Sequence, residues 1–167
     1  MTYYVLFFIE LPTRAVRIAG ITTNPAEAWM LQIARNACDV DDGVLSGGRK
    51  LLIDRDAKYS GDWRAFLKEQ GVEVIRPPPK SPNLNAYAER FVRSIKGECF
   101  NRMIFIGEAS LRRAIREFMA HYHAERNHQG LSNRLISAER SSVPVHRPVE
   151  RRIRLGGMLS FYQYASA

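Results

Sequence analysis

Residues 2–11, Thr2-Tyr3-Tyr4-Val5-Leu6-Phe7-Phe8-Ile9-Glu10-Leu11, are rich in aromatic and β-branched side chains and apolar on both faces, the pattern of a central strand. Pro12-Thr13 makes a turn, and residues 14–22 then alternate, Val16 and Ile18 against Arg17 and Ala19, as a half-exposed strand does. Asn24-Pro25 reads as a helix start, Asn as N-cap and Pro in the first helical position. The helix carries Trp29, Ile33 and Ala37 as an apolar stripe. An acidic, Gly-containing loop spans 39–48, and residues 50–53 form a short buried strand. Ser60 caps a second helix through Trp63, Phe66 and Leu67, stopped by Gly71, and residues 72–75 are again a strand. Both tryptophans are expected in the core.

Four prolines among residues 77–82 forbid a helix there and predict an extended surface loop. Residues 85–96 form a basic amphipathic helix. Residues 108–123 form a longer one, with Leu111, Ile115, Phe118, Met119 and Tyr122 inward and Arg112, Arg113 and Arg116 outward. The order strand, strand, helix, strand, helix, strand, helix, helix predicts an α/β domain. Beyond Leu131 the chain is polar and basic, so residues 1–131 are read as the domain and 132–167 as a basic C-terminal tail.

At 167 residues and 46% apolar content, the chain can build one ordinary core. No apolar run reaches the roughly 20 residues that span a bilayer, and Met1 to Ile9 reads as a strand, not a signal segment. Two cysteines, Cys38 and Cys99, make no disulfide framework and no zinc-ligand spacing, which points to a reducing cytosol. The charge changes the picture most. Residues 1–75 hold 9 basic and 10 acidic side chains, whereas residues 76–167 hold 16 and 7. A half with a net charge of +9 is suited to a polyanion, because neutralising phosphates releases counterions.

Two carboxylates stand out against this background. Asp54 ends the short strand Leu51-Leu52-Ile53, at the carboxyl end where open α/β sheets bind ligands. Glu89, 35 positions on, lies one turn into the basic helix with Arg93 and Lys96 on its face. Metal-dependent phosphoryl transfer places two ions roughly 3.5–4 Å apart between such carboxylates. The bland alternatives are a turn residue for Asp54 and, for Glu89, a surface pair with Arg93 of about 0.3–0.5 kcal/mol. Spacing leaves Asp56 as a competitor of Asp54. Lys58 and Lys80 either touch DNA phosphate or are solvated, and Arg93 and Lys96 are the better nucleic-acid candidates. His128 and Arg126 read more simply as a helix-end cap and a structural ion pair.

The ordered motifs Ile53-Asp54-Arg55-Asp56-Ala57-Lys58-Tyr59, Pro77-Pro78-Pro79-Lys80-Ser81-Pro82 and Asn85-Ala86-Tyr87-Ala88-Glu89-Arg90-Phe91 resemble the catalytic core of insertion-sequence transposases akin to retroviral integrase. The run Tyr122-His123-Ala124-Glu125-Arg126-Asn127-His128-Gln129-Gly130-Leu131 is similar to that family's Tyr-Asn-x-x-Arg-x-His-x-x-Leu signature, with His123 replacing Asn. The resemblance implies a ribonuclease-H-like fold and a DDE mechanism, in which metal-bound water cuts DNA and the freed 3′ hydroxyl attacks a target. It implies Mg²⁺ or Mn²⁺ as cofactor, with Asp54 and Glu89 as catalytic metal ligands. It implies DNA as partner, as transposon ends and target. It further implies self-association or association with full-length transposase, and a cytoplasmic, nucleoid-associated bacterial protein.

The chain departs from the family in one respect. The family's first Asp lies on a strand ahead of the hairpin that residues 3–9 and 16–21 match, and no acidic residue precedes Glu10. The expectation is therefore a ribonuclease-H-like core shortened at its N terminus. It would lack the first strand and the DNA-end-binding domain, and with one carboxylate missing it would be catalytically incomplete. Strands left without a neighbour should present open edges.

Overall fold

In the computed structural model, which describes residues 1–78, 85–137 and 148–164, the aromatic run folds as β1 (Tyr4–Ile9). It pairs antiparallel with β2 (Val16–Thr22), with a bulge where Leu6 faces Gly20 and Phe7 faces Ile18. Helix α1 (Glu27–Ala37) follows, then β3 (Lys50–Leu52), α2 (Gly61–Glu69) and β4 (Glu73–Ile75), with β3 and β4 parallel. Helices α3 (Ala86–Glu98) and α4 (Gly107–Ala124) come next, and β5 (Val149–Arg154) and β6 (Leu159–Tyr164) close an antiparallel hairpin. Among the described residues each strand has one hydrogen-bonded neighbour, in three two-stranded ladders.

The chain divides into two units, Met1–Ile9 with Val16–Ala86, and Glu10–Ala15 with Tyr87–Ala167. The first is built around Met30, Ala34, Ala37, Leu45, Ile53, Trp63, Leu67 and Val72. Trp63 is 1% exposed and its indole N–H donates to the Met30 carbonyl at 3.1 Å, so its one polar atom is satisfied inside the core. Trp29 is half-buried and packs against that core. Gly20 allows α1 to lie close on β2. A Cβ there would stand 2.7 Å from the Trp29 ring and 2.8 Å from Ile33 Cδ1.

Ser60 caps α2 as its sequence implies, its hydroxyl accepting from the Trp63 amide at 3.2 Å. The helix ends in a Schellman turn. Gly71 takes φ 78°, its N–H reaching the Lys68 carbonyl at 3.0 Å, and the Val72 N–H reaches that of Leu67 at 2.9 Å. The start of α1 corrects the reading of Asn24-Pro25. Ala26 is the N-cap and makes no side-chain bond, while the Asn24 N–H donates to Thr22 Oγ1 at 3.0 Å. A local hydroxyl-centred turn took the residues that pattern alone assigned to the cap.

In the second unit α3 and α4 meet through aromatic edges, Phe91 against Phe118 at 6.3 Å and against Tyr122 at 5.2 Å. Leu111, Ala114, Ile115, Phe118 and Tyr122 are buried while Arg112, Arg113 and Arg116 face solvent, as the periodicity of α4 predicts. The hairpin β5–β6 lies within the stretch read as a tail. It turns through Gly156 and Gly157, both at positive φ. It is held to α4 by Arg154, whose guanidinium bonds both Glu125 oxygens and Glu117. Among the described residues no helix is long and apolar enough to cross a membrane. Cys38 and Cys99 are both free; burial pushes the Cys99 thiol up to about 11 and raises that of Cys38 as well.

Candidate functional site

The β3–β4 ladder runs one residue past β3, the Ile53 N–H donating to the Ile75 carbonyl at 3.0 Å, and then releases the chain into solvent at Asp54. Asp54 Oδ1 accepts the Asp56 N–H at 2.9 Å, an Asx turn that sets the carboxylate beside the strand end. Among the described residues its other oxygen has no hydrogen bond. Asp56 is different. Its Oδ1 accepts the Lys58 N–H at 3.0 Å and its Oδ2 is ion-paired with the Lys58 ammonium. The side-chain bond from Lys58, then its backbone N–H, hold the Asp56 carboxyl below the usual carboxylate range. Asp56 and Lys58 thus satisfy each other, whereas among the described residues Asp54 keeps one oxygen without a hydrogen bond.

The shell around this turn is firm. Tyr59 packs on Trp63 with ring centroids 4.9 Å apart. Burial, reinforced by the charges of Asp54 and Asp56, pushes its phenol up to about 12. Arg55 Nε donates to the Pro77 carbonyl at 3.0 Å, tying the start of the proline segment to the end of β3. Lys80 lies outside the described residues.

Glu89 occupies the first turn of α3, where the helix dipole favours a carboxylate. Phe91 and Ile95 bury one side of α3, and Glu89, Arg93 and Lys96 stand exposed. The surface pair of Glu89 with Arg93 does not form; among the described residues neither makes an ion pair. Asp54 and Glu89 belong to different units. Both are hard oxygen donors of the kind Mg²⁺ and Mn²⁺ take. Among the described residues, however, no three His, Cys, Asp or Glu side chains form a group that could hold a metal ion. The type of donor fits such an ion; the number does not.

Two residues of the signature run, Arg126 and His128, make structural contacts. Arg126 NH1 bonds both oxygens of Glu98 at 2.7 Å. The His128 ring lies against Tyr122 at 4.7 Å, and its Nε2 bonds the Tyr122 carbonyl in the last turn of α4 at 2.7 Å. Burial, with His128 nearby, lowers the pKa of His123. Two features were not singled out from sequence. Arg14, at φ 62°, places its guanidinium 3.6 Å over the Tyr87 ring. A groove of about 430 Å³ along α2 and β4 has Arg64, Lys68 and Arg76 in its lining, with Glu73 among them. Arg14 and Tyr87 are far apart in sequence, so no periodicity signals their contact.

Residues 70–135 match the family described as integrase core domain, a span that holds Glu89, Arg93, Lys96 and the signature run but not Asp54. Among solved structures, the simian T-cell lymphotropic virus intasome in complex with PP2A regulatory subunit B56 gamma contains a chain that superposes with a TM-score of 0.57 at 10% identity. The alignment covers 98% of this chain and 65% of that one. No curated protein matches the sequence. Residues 70–135 are thus similar to an integrase core domain, and the chain shares its α/β, ribonuclease-H-like fold with that intasome chain.

Proposed function

We propose that this integrase-like chain is the core of a transposase that recombines DNA by divalent-metal-dependent strand cleavage and transfer, and that its catalytic constellation is incomplete as the chain stands. The observation that carries the proposal is the integrase-core match over residues 70–135, which includes Glu89 as an exposed carboxylate without an ion-pair partner among the described residues. Asp54, exposed at the end of β3 with one oxygen free of hydrogen bonds among the described residues, would supply the second carboxylate. Bound Mg²⁺ or Mn²⁺ would activate a water and hold the leaving oxygen. Arg93 and Lys96, beside Glu89, would hold the DNA backbone. Residues 1–131 would serve as the core and the basic residues beyond as an additional DNA contact. The protein would act in the bacterial nucleoid and as a multimer.

A labelled duplex end incubated with the chain and Mn²⁺ tests this reading. Binding without cutting is the expected result. Cutting abolished by Glu89→Ala would show a complete site and overturn the incompleteness. Cutting untouched by both Asp54→Ala and Glu89→Ala would overturn the residue assignment.

The excess of 16 basic over 7 acidic side chains in residues 76–167 favours one further reading, a non-catalytic DNA-binding fragment that dimerises with full-length transposase and inhibits it. Added to an active transposase, such a fragment would lower strand transfer in proportion to its concentration. No inhibition would reject it.

A further inference from the structure

The hairpin β5–β6 has two unlike faces. Leu159 is buried, Phe161 lies 6.4 Å from the His121 ring, and Arg154 is clamped by Glu125 and Glu117, so one face is committed to α4. The other face carries Val149, Arg151 and Ile153 opposite Tyr164, Tyr162 and Ser160. Tyr162 is 70% exposed, Val149 60% and Ile153 59%. Arg151 stands directly across from Tyr162 and, among the described residues, has no ion-pair partner. This face has a cation, two aromatic rings and no carboxylate, since Glu150 falls on the opposite face.

We propose that this outward face is a stacking platform for single-stranded DNA, Tyr162 and Tyr164 each taking a base and Arg151 the backbone; the proposal rests on the DNA-acting reading above. Tyr162 and Tyr164 are two residues apart on one face, about 6.6 Å along the strand, so each ring can take a base of its own. The rings are exposed on a ribbon whose other face is anchored, so little ordering cost attaches to binding. Charge argues for a polyanion, because this face carries Arg151 and no carboxylate. Duplex DNA is the weaker fit, because paired bases present edges in the groove and no open ring face.

Fluorescence anisotropy with a labelled single-stranded oligothymidylate and a blunt duplex of the same length tests the proposal. The double substitution Tyr162→Ala with Tyr164→Ala should weaken single-strand binding at least tenfold and leave duplex binding within twofold. The double Phe substitution should keep single-strand affinity, because stacking needs the ring and not the hydroxyl. Circular dichroism on each variant controls for folding. Unchanged single-strand affinity in the alanine variant, or an equal loss for both ligands, would overturn the platform. Binding of duplex alone by the parent chain would overturn it while leaving the DNA-acting reading intact. Binding of neither ligand would remove that reading as well.

Discussion

Asp54 and Asp56 show what a single residue's surroundings decide. Both are exposed acids near one strand end, and only the structure shows that Asp56 is taken up by Lys58. Removing Asp56 therefore frees a cation and leaves Asp54 in place. Asp56→Asn should leave Mn²⁺ affinity within twofold, measured by titration against the parent. Tyr59 offers a second residue-scale test. Its folded pKa of about 12 stands above the ordinary value of 10, so its contribution to stability is complete below pH 10 and disappears as pH rises through about 12. Tyr59→Phe should flatten the fall in denaturation midpoint between pH 10 and 12; an unchanged alkaline slope would contradict the assignment. Arg126 and His128 were legible from sequence as structural, since an ion pair and a helix-end contact are what such residues most often make.

The elements were mostly legible, because each carries its own period. The stripe of α4, the Ser60 cap and the Gly71 stop appear where pattern and cap chemistry place them. The α1 start was not, because Thr22 and Asn24 satisfied one another first. The hairpin β5–β6 was hidden by composition. Its basic residues read as a tail, although Leu159-Ser160-Phe161-Tyr162-Gln163-Tyr164 alternates strictly and Leu155-Gly156-Gly157 is a turn. The anchoring of the hairpin gives a prediction at this scale. Glu125 is almost fully buried and its carboxylate holds Arg154 and His121. Arg154→Ala leaves that charge short of its main partner, a loss of up to about 3–5 kcal/mol for a buried pair and less here, where Arg154 is partly exposed. Amide exchange across β5 and β6 should then accelerate at least tenfold while α2 stays protected. Uniform acceleration would point to global unfolding instead. In the first unit, Gly20→Ala should destabilise by about 1–3 kcal/mol through collision with Trp29 and Ile33. A denaturant midpoint at the parent value would contradict that packing.

For the whole molecule, the uneven charge is the feature with the widest consequence. A basic half predicts DNA affinity that falls steeply with salt, with a log–log slope of about −0.9 for each phosphate neutralised on duplex. A slope near zero would contradict nucleic-acid binding altogether. Fold class was readable at this scale because motif order survives where the pairing of strands into ladders does not. The site was readable only in part. Sequence names the two carboxylates proposed for the site, but which of their oxygens carry hydrogen bonds depends on Lys58 and on turn geometry.

The central claim is that Asp54 and Glu89 are the metal carboxylates of this core. Paramagnetic broadening of backbone amides by Mn²⁺, recorded on the parent chain and on Asp54→Ala and Glu89→Ala, tests it most directly, since weak binding still broadens nearby resonances. The account predicts broadening centred on the residues after β3 and on the first turn of α3, reduced at each site by its own substitution. Broadening centred elsewhere, or indifferent to both substitutions, would contradict it.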